Sequence, residues 1–125
     1  WQVDPDAFRD TLIDVDRRYR LPIYVLENGA GAVEAPNAAG AVVDLERVDF
    51  LASYTGALRE AVLAGADVRG YFVWSLLDNF EWGAGYASRF GLVYVDYPTQ
   101  RRIPKASARW YAQLIRGEGL ARAGQ

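Results

Sequence analysis

The sequence predicts an α/β fold built on a parallel sheet, and three observations support this prediction. Two largely apolar runs, at residues 21–26 and 71–77, have the length and the β-branched and aromatic content of buried strands, and the second strand is predicted to begin near Val68. An amphipathic helical pattern precedes each run, and another follows near the carboxyl terminus. Strands that alternate with helices of this length are typical of right-handed βαβ units, whose strands run parallel.

The first helix is predicted at residues 5–19. Asp4 can accept hydrogen bonds from the free amides of the first turn, and Pro5 is tolerated at the first helical position. Acidic residues come early and basic residues late, which suits the helix dipole. The predicted inward face consists of Phe8, Leu12, Val15 and Tyr19.

The first strand, residues 21–26, is expected to be buried on both faces and to stop at the Glu27-Asn28-Gly29 segment. A surface loop then covers residues 30–43. The second helix is predicted to begin from an Asp44 cap and to end at Gly65. Its predicted inward positions are Val48, Leu51, Thr55, Leu58 and Val62.

The second strand, residues 68–77, leads through a long glycine-containing loop to a further short strand at residues 92–95. Pro104 is predicted to open a last helix, and Gly117 to end it. The residues from Glu118 onward are expected to form a frayed tail. Inward positions predicted for the last helix are Ala108, Tyr111, Leu114 and Ile115.

The predicted sheet is too small to stand alone. Two principal strands that are apolar on both faces need more neighbours than this chain supplies. A (β/α)8 barrel takes about 250 residues, so the chain would supply about a quarter of the strands of such a barrel. The sequence contains no Met and begins with a bulky Trp, so we expect it to be part of a longer, processed or engineered polypeptide.

Composition excludes several classes of function. With 14 basic and 16 acidic side chains the net charge is −2, and no basic stripe indicates a nucleic-acid partner. No apolar run approaches the roughly 20 residues that cross a membrane. Because Cys and His are absent, thiolates, imidazole bases and Ser-His-Asp triads are excluded within the chain, which leaves acid–base chemistry to carboxylates. The glycine-rich segments match neither phosphate loops nor calcium loops, so no metal and no cofactor is predicted.

Glu27 is the first candidate for chemistry because it follows a strand, where α/β folds place their active sites. A carboxylate held there can act as nucleophile, general base or general acid. The competing interpretation is a solvated or Arg-paired glutamate, with Asn28-Gly29 as a simple turn.

Glu81 and Trp82 form the second candidate. An indole can cover the apolar face of a sugar ring while a neighbouring carboxylate accepts from its hydroxyls, and Trp74 could form the floor of such a site. Alternatively the aromatic residues belong to the core and Glu81 is a loop acid. Asp78-Asn79 is interpreted as turn and capping chemistry.

Four segments of the sequence resemble glycoside hydrolase family 1, the β-glucosidase and β-galactosidase family. Pro22 to Gly29 resembles the nucleophile motif of that family. Gly70 to Tyr97 resembles its signature for the seventh-to-eighth barrel units almost residue for residue. Trp1 to Pro5 and Thr99 to Ser107 match as well, so the resemblance covers essentially residues 1–116.

The resemblance implies a (β/α)8 TIM barrel of which this chain supplies the carboxyl-terminal last two units. Residues 1–117 would belong to the barrel, and residues 118–125 would be a carboxyl-terminal tail. The implied reaction is retaining hydrolysis of a β-glucoside or related β-glycoside, in which the two catalytic carboxyl groups lie about 5 to 5.5 Å apart.

The resemblance also implies roles for individual residues. Glu27 would be the catalytic nucleophile, ionised while its partner carboxyl begins protonated. Glu81 would accept from the distal hydroxyls of the sugar, between walls formed by Trp74 and Trp82. The implied supporting residues are Asn28, Tyr86 and Phe90.

The sequence departs from the family pattern in three places. The Asn-Glu-Pro motif that carries the acid/base is absent, so the implied partner is the remaining barrel segment, in the same chain or in a complementing one. Leu26 stands where the family usually has Thr, and Tyr54 replaces a common helix His as a packing residue. The alternative functions are a non-catalytic sugar-binding or barrel-completing subunit and an inactive fragment. The chain alone is expected to show no turnover.

Overall fold

The structure is a computed structural model that describes residues 2–117 and divides into two compact units. The first unit takes in the chain as far as Ala30 and then Asp49–Trp74, and the second takes in Gly31–Val48 and the chain from Ser75 onward. Within the described residues, no helix is both long and apolar enough to cross a membrane. The elements in chain order are α1 (Pro5–Tyr19), β1 (Ile23–Asn28), α2 (Leu45–Leu63), β2 (Val68–Val73), a 3-10 helix (Trp82–Ala84), β3 (Val93–Asp96), β4 (Arg101–Pro104) and α3 (Ala106–Ile115).

The first unit contains the predicted parallel pair of strands. β1 and β2 run side by side, with Ile23 opposite Val68 and Asn28 opposite Val73. Leu12 of α1 and Ala61 of α2 are the buried centre of a hydrophobic cluster that also contains Ala66. Apolar side chains packed against this centre are Phe8, Ile13, Ile23, Val25, Leu58 and Val68. The two helices therefore cover one face of the strand pair.

The prediction that the strands are buried on both faces is wrong for this chain. Tyr24 is 54% exposed, Leu26 is 71% exposed and Phe72 is 53% exposed. Side chains alternate across a strand, so those that point away from α1 and α2 remain uncovered. The strand bounds also differ: β1 begins at Ile23 and extends through Asn28, and β2 ends at Val73.

Helix α1 has its predicted bounds and its predicted cap, since the Asp4 carboxylate accepts from the Ala7 amide at 2.9 Å. Its predicted inward face is wrong at Tyr19, which is exposed, whereas Ile13 packs on the core. In α2, Val62 is exposed because the buried stripe runs through Tyr54, Ala57 and Ala61 instead. Tyr54 is a packing residue as predicted, and its ring stacks on Phe50 at 4.2 Å.

The second unit contains an antiparallel hairpin that the sequence did not predict. β3 pairs with β4, with Val93 opposite Pro104 and Asp96 opposite Arg101. Pro104 was expected to open the last helix but ends β4, and α3 begins at Ala106. The reason is compositional, because Arg-Arg-Ile-Pro has no apolar run to mark it as a strand. Ile115, predicted to point inward, is exposed.

Asp44 makes a distant contact in addition to its place before α2. Its buried carboxylate accepts from the amide of Ser107 at 2.9 Å, in the first turn of α3, and also pairs with Arg47 in the first turn of α2. Lys105, the residue at the cap position of α3, makes no side-chain capping bond. Asp44 therefore satisfies the amino end of α3, a pairing over 63 positions that no local pattern reveals. The predicted tail, residues 118–125, lies outside the described residues.

Candidate active site

Glu27 lies at the carboxyl end of β1, on a β-bulge. Between Val25 and Asn28 the register with β2 shifts, so β1 carries one residue more than its partner. A bulge of this kind re-aims the side chains next to it. Leu26 and Glu27 are consequently both exposed, although strict alternation would have turned Glu27 towards the helices.

Trp74 lies beside the Glu27 segment in the same unit. Its amide donates to the Asn28 carbonyl at 3.0 Å. The Tyr71 hydroxyl donates to the Asn28 side-chain oxygen at 2.7 Å, which fixes this end of the strand pair. Gly29 allows the close approach, because a Cβ atom there would lie 1.8 Å from the Trp74 carbonyl oxygen. Three predicted site residues, Glu27, Asn28 and Trp74, are therefore brought together.

Glu81 and Trp82 lie on a loop of the second unit, residues 79–90. A tight turn shapes the loop tip, where the Glu81 amide donates to the Gly85 carbonyl at 2.7 Å. Trp82 has a positive φ of 43° and is 82% exposed. A bulky residue in this backbone region is strained, and such strain is concentrated at functional sites. Trp82 is therefore not a core aromatic, contrary to the alternative interpretation.

The supporting residues differ in burial. Phe90 is buried, whereas Tyr86 is exposed. The Tyr86 ring makes edge contacts with Phe80 at 5.5 Å and with Tyr97 at 4.7 Å, so it joins the loop to the hairpin connection. Burial raises the pKa of the Tyr97 phenol above its usual value.

Gly85 offers a test of the loop tip. Its φ of 58° and ψ of −127° suit glycine alone, yet a Cβ atom there would meet nothing within 4 Å. We expect Gly85→Ala to lower the free energy of opening the loop by about 1 to 3 kcal/mol through backbone strain alone. Amide hydrogen exchange of residues 79–90 measures this. The control is Gly56→Ala, also in open space but inside α2, which should stabilise the chain by about 0.5–1 kcal/mol. If hydrogen exchange in Gly85→Ala is unchanged, the backbone at position 85 does not require glycine and the prediction is wrong.

Sequence reasoning missed a buried network of charges in the second unit. Lys105 is fully buried and pairs with Glu34 and with Asp78, whose oxygen lies 2.9 Å from its Nζ. Arg47 pairs with Glu34 at 2.6 Å and also with Asp44. Further members of the network are Arg89, paired with Asp78 at 2.7 Å, and Ser107, bound to Asp44. Three carboxylates thus face three cations.

Two signals in the sequence point to this network. Lys105 is the only lysine of the chain and follows Ile103-Pro104, and Asp78 follows the apolar Leu76-Leu77 pair. Charges placed after apolar runs are candidates for burial, and buried charges need partners. The partners themselves lie too far away in sequence to be recognised. The interpretation of Asp78 as turn chemistry is wrong, because its carboxylate is buried and pairs with Lys105 and Arg89.

Comparison with known families decides the class of protein. Residues 1–120 match the model of glycosyl hydrolase family 1. The chain belongs to this family. The "Beta-glucosidase A" of Thermotoga maritima is 44% identical over 121 residues, which cover 96% of this chain and 27% of that protein. The "Thermostable beta-glucosidase B" of Thermobispora bispora is 48% identical over 122 residues, covering 96% of this chain and 25% of that protein.

A solved family 1 structure has the same fold over the shared region. The family 1 β-glucosidase from Thermotoga maritima in complex with isofagomine lactam superposes with a TM-score of 0.93 at 43% identity. That alignment covers 96% of this chain and 28% of the other. The chain thus has an α/β fold that matches part of a family 1 TIM barrel. It spans about a quarter of the length of the relatives it matches.

Proposed function

We propose that this chain supplies the nucleophile and part of the sugar subsite of a retaining β-glycosidase that acts on β-glucosides or related β-glycosides. The observation that carries the proposal is the exposed carboxylate of Glu27 on a β-bulge at a strand end, beside Trp74, in a family 1 chain. The names of the relatives, which are β-glucosidases, support this substrate class.

In the proposed reaction, the Glu27 carboxylate attacks the anomeric carbon and the glycosidic bond to the leaving oxygen breaks. A protonated carboxyl on another part of the barrel gives its proton to that oxygen. The same group, now a carboxylate, then takes a proton from water, which displaces Glu27 and releases the sugar with its original configuration. Glu81 accepts from the distal hydroxyls of the sugar, and Trp74 and Trp82 form its walls.

We further propose that the chain forms the last two units of the barrel, with residues 1–117 in the barrel. The uncovered apolar face that includes Tyr24, Leu26 and Phe72 supports this, because the other strands of a closed barrel would bury it. The partner is accordingly the rest of the barrel, which brings the acid/base. Without that partner we expect no turnover.

A chimera tests the proposal. The chain replaces the 27% of Thermotoga maritima Beta-glucosidase A that it matches, and the intact relative is the control. A 2-deoxy-2-fluoro-β-D-glucoside with a good leaving group should form a stable glycosyl-enzyme, since the fluorine slows its hydrolysis. Peptide mapping should find the label on Glu27, and NMR should show the β-anomer released first from an ordinary β-glucoside.

Two results would overturn the assignment. Release of the α-anomer would exclude a retaining mechanism, and a label on another residue would exclude Glu27 as the nucleophile. A folded chimera that binds glucose in calorimetry but does not hydrolyse a glucoside would favour the alternative, a sugar-binding or barrel-completing subunit.

A further inference from the structure

Asp78 directly precedes the loop of residues 79–90 in the second unit, and its carboxylate is completely buried. One oxygen accepts from the Gly91 amide at 2.9 Å and from Lys105. The other accepts from Arg89 at 2.7 Å and from the Val95 amide at 3.3 Å. The side chain at the start of the loop therefore binds the residues at its end.

Arg89 binds Asp78 and also contacts the tyrosine rings beside the loop. Its guanidinium also donates to the Val95 carbonyl at 2.9 Å. It lies over the rings of Tyr94 and Tyr97, with its central carbon 4.0 Å and 4.5 Å from their centroids. Tyr97 in turn contacts Tyr86 within the loop. The Arg89 guanidinium therefore contacts both Asp78, at the start of the loop, and the tyrosine rings that pack beside the loop.

The tip of the loop has a different kind of contact. The Glu81 amide and carbonyl bond to Gly85 and Ala84, at 2.7 Å and 2.9 Å, and both partners are within four residues. Such bonds give the turn its shape. The contacts of Asp78 with Arg89 and Gly91 differ from them, because they join the two ends of the loop over 11 and 13 positions.

We propose that Asp78, acting through Arg89, is a positioning residue that sets where Glu81 meets the sugar and so contributes to the choice between glycosides. The inference rests on the proposed function, in which Glu81 accepts from the distal hydroxyls. A hydrogen bond to a hydroxyl requires a heavy-atom distance of about 2.5–3.0 Å, so a small displacement of the loop loses the bond. A glycoside that lacks a distal hydroxyl group does not depend on this bond.

The first part of the test uses the 125-residue chain itself. Asp78→Asn keeps the shape but removes the charge, and Arg89→Lys keeps the charge but removes the planar fork. The matched control, Ser107→Ala, removes a buried contact to Asp44 in the same network, outside the loop. We expect amide exchange in residues 79–91 to be at least about tenfold faster in the first two variants than in Ser107→Ala. Where Asp78→Asn does not fold, Arg89→Lys carries the test.

The second part uses the chimera with β-glucoside and β-xyloside substrates, because the xyloside lacks the hydroxymethyl group. Glu81→Gln is the benchmark for losing the distal contact. We expect Asp78→Asn and Arg89→Lys to reduce the glucoside-to-xyloside ratio of kcat/KM by about tenfold, as Glu81→Gln does. Ser107→Ala should leave the ratio unchanged, since a loss of stability affects both substrates equally.

The outcomes separate the two proposals. If Glu81→Gln leaves the ratio unchanged, the proposed role of Glu81 is wrong. If Glu81→Gln changes the ratio while Arg89→Lys does not, the role of Glu81 stands and the positioning role of Asp78 is overturned. Faster exchange together with a reduced ratio supports positioning.

Discussion

Replacing Glu27 by Ala in the chimera should reduce kcat for an aryl β-glucoside by roughly a thousandfold to a millionfold. The expectation follows from the proposed covalent step, which requires the carboxylate of Glu27 at the anomeric carbon. Added azide should restore part of the activity, because the truncated side chain leaves room for a small anion at the anomeric carbon. The product should be the α-glycosyl azide, since azide attacks from the side opposite the leaving group. Steady-state kinetics and NMR of the product measure both effects.

The control for this experiment is Glu46→Gln, on the exposed first turn of α2. It should change kcat by less than about twofold, because surface substitutions away from special features have effects within about 0.5 kcal/mol. If Glu27→Ala retains more than a tenth of the activity, Glu27 is not the nucleophile.

Replacing Lys105 by Met should lower the free energy of unfolding by about 3–5 kcal/mol. Met keeps an unbranched side chain of nearly the same length but leaves the carboxylates of Glu34 and Asp78 without one of their cations. The side chain of Asp78 is 0% exposed and that of Glu34 is 9% exposed, so water cannot compensate. Urea denaturation of the 125-residue chain, followed by circular dichroism, measures the change.

The matched control is Arg69→Met, which removes an exposed pair with Asp67. An exposed pair contributes about 0–1 kcal/mol, so the control should change stability little. Adding Glu34→Gln to Lys105→Met restores the balance of charges and should recover at least about 1 kcal/mol, as a double-mutant cycle measures. Equal effects of Lys105→Met and Arg69→Met would show that the network does not stabilise the unit.

The sequence predicted local features of the fold well where a residue type is typical of one structural position, such as a helix cap or a helix end. Asp4 caps α1, as expected from its carboxylate, and Gly65 follows α2 with a φ of 100°, as expected from the absence of a Cβ atom. The parallel pairing of β1 and β2 also followed from the order of apolar runs and helices. Family 1 membership followed from motifs in which many residues agree, and the family model confirms it.

Contacts between distant segments could not be predicted. β4 is a strand because it pairs with β3, although its own residues carry no strand pattern. Asp44 was assigned to the helix next to it, and its bond to Ser107, 63 positions away, was not foreseen. Burial on both strand faces was expected because an apolar run does not reveal how many strands its own chain provides.

In the candidate site, too, local features could be predicted and contacts between distant segments could not. The strand-end position of Glu27 and the place of Glu81 beside Trp82 identified them as candidates. The motif resemblance implied their roles, which stay predictions until the chimera is tested. The bulge that turns Glu27 outward depends on register with β2, which no single segment encodes. The burial of Asp78 likewise became visible only once its partners were placed.

The balance of three carboxylates against three cations in this largely buried network also constrains how this sequence can diverge. A lineage that loses Lys105 first must tolerate an unstable intermediate before a second change removes a carboxylate. Because natural proteins have stability margins of only about 5–15 kcal/mol, such intermediates are removed by selection. Substitutions in the network should therefore be inherited in compensating sets, whereas exposed pairs such as Arg69 and Asp67 are free to change one at a time.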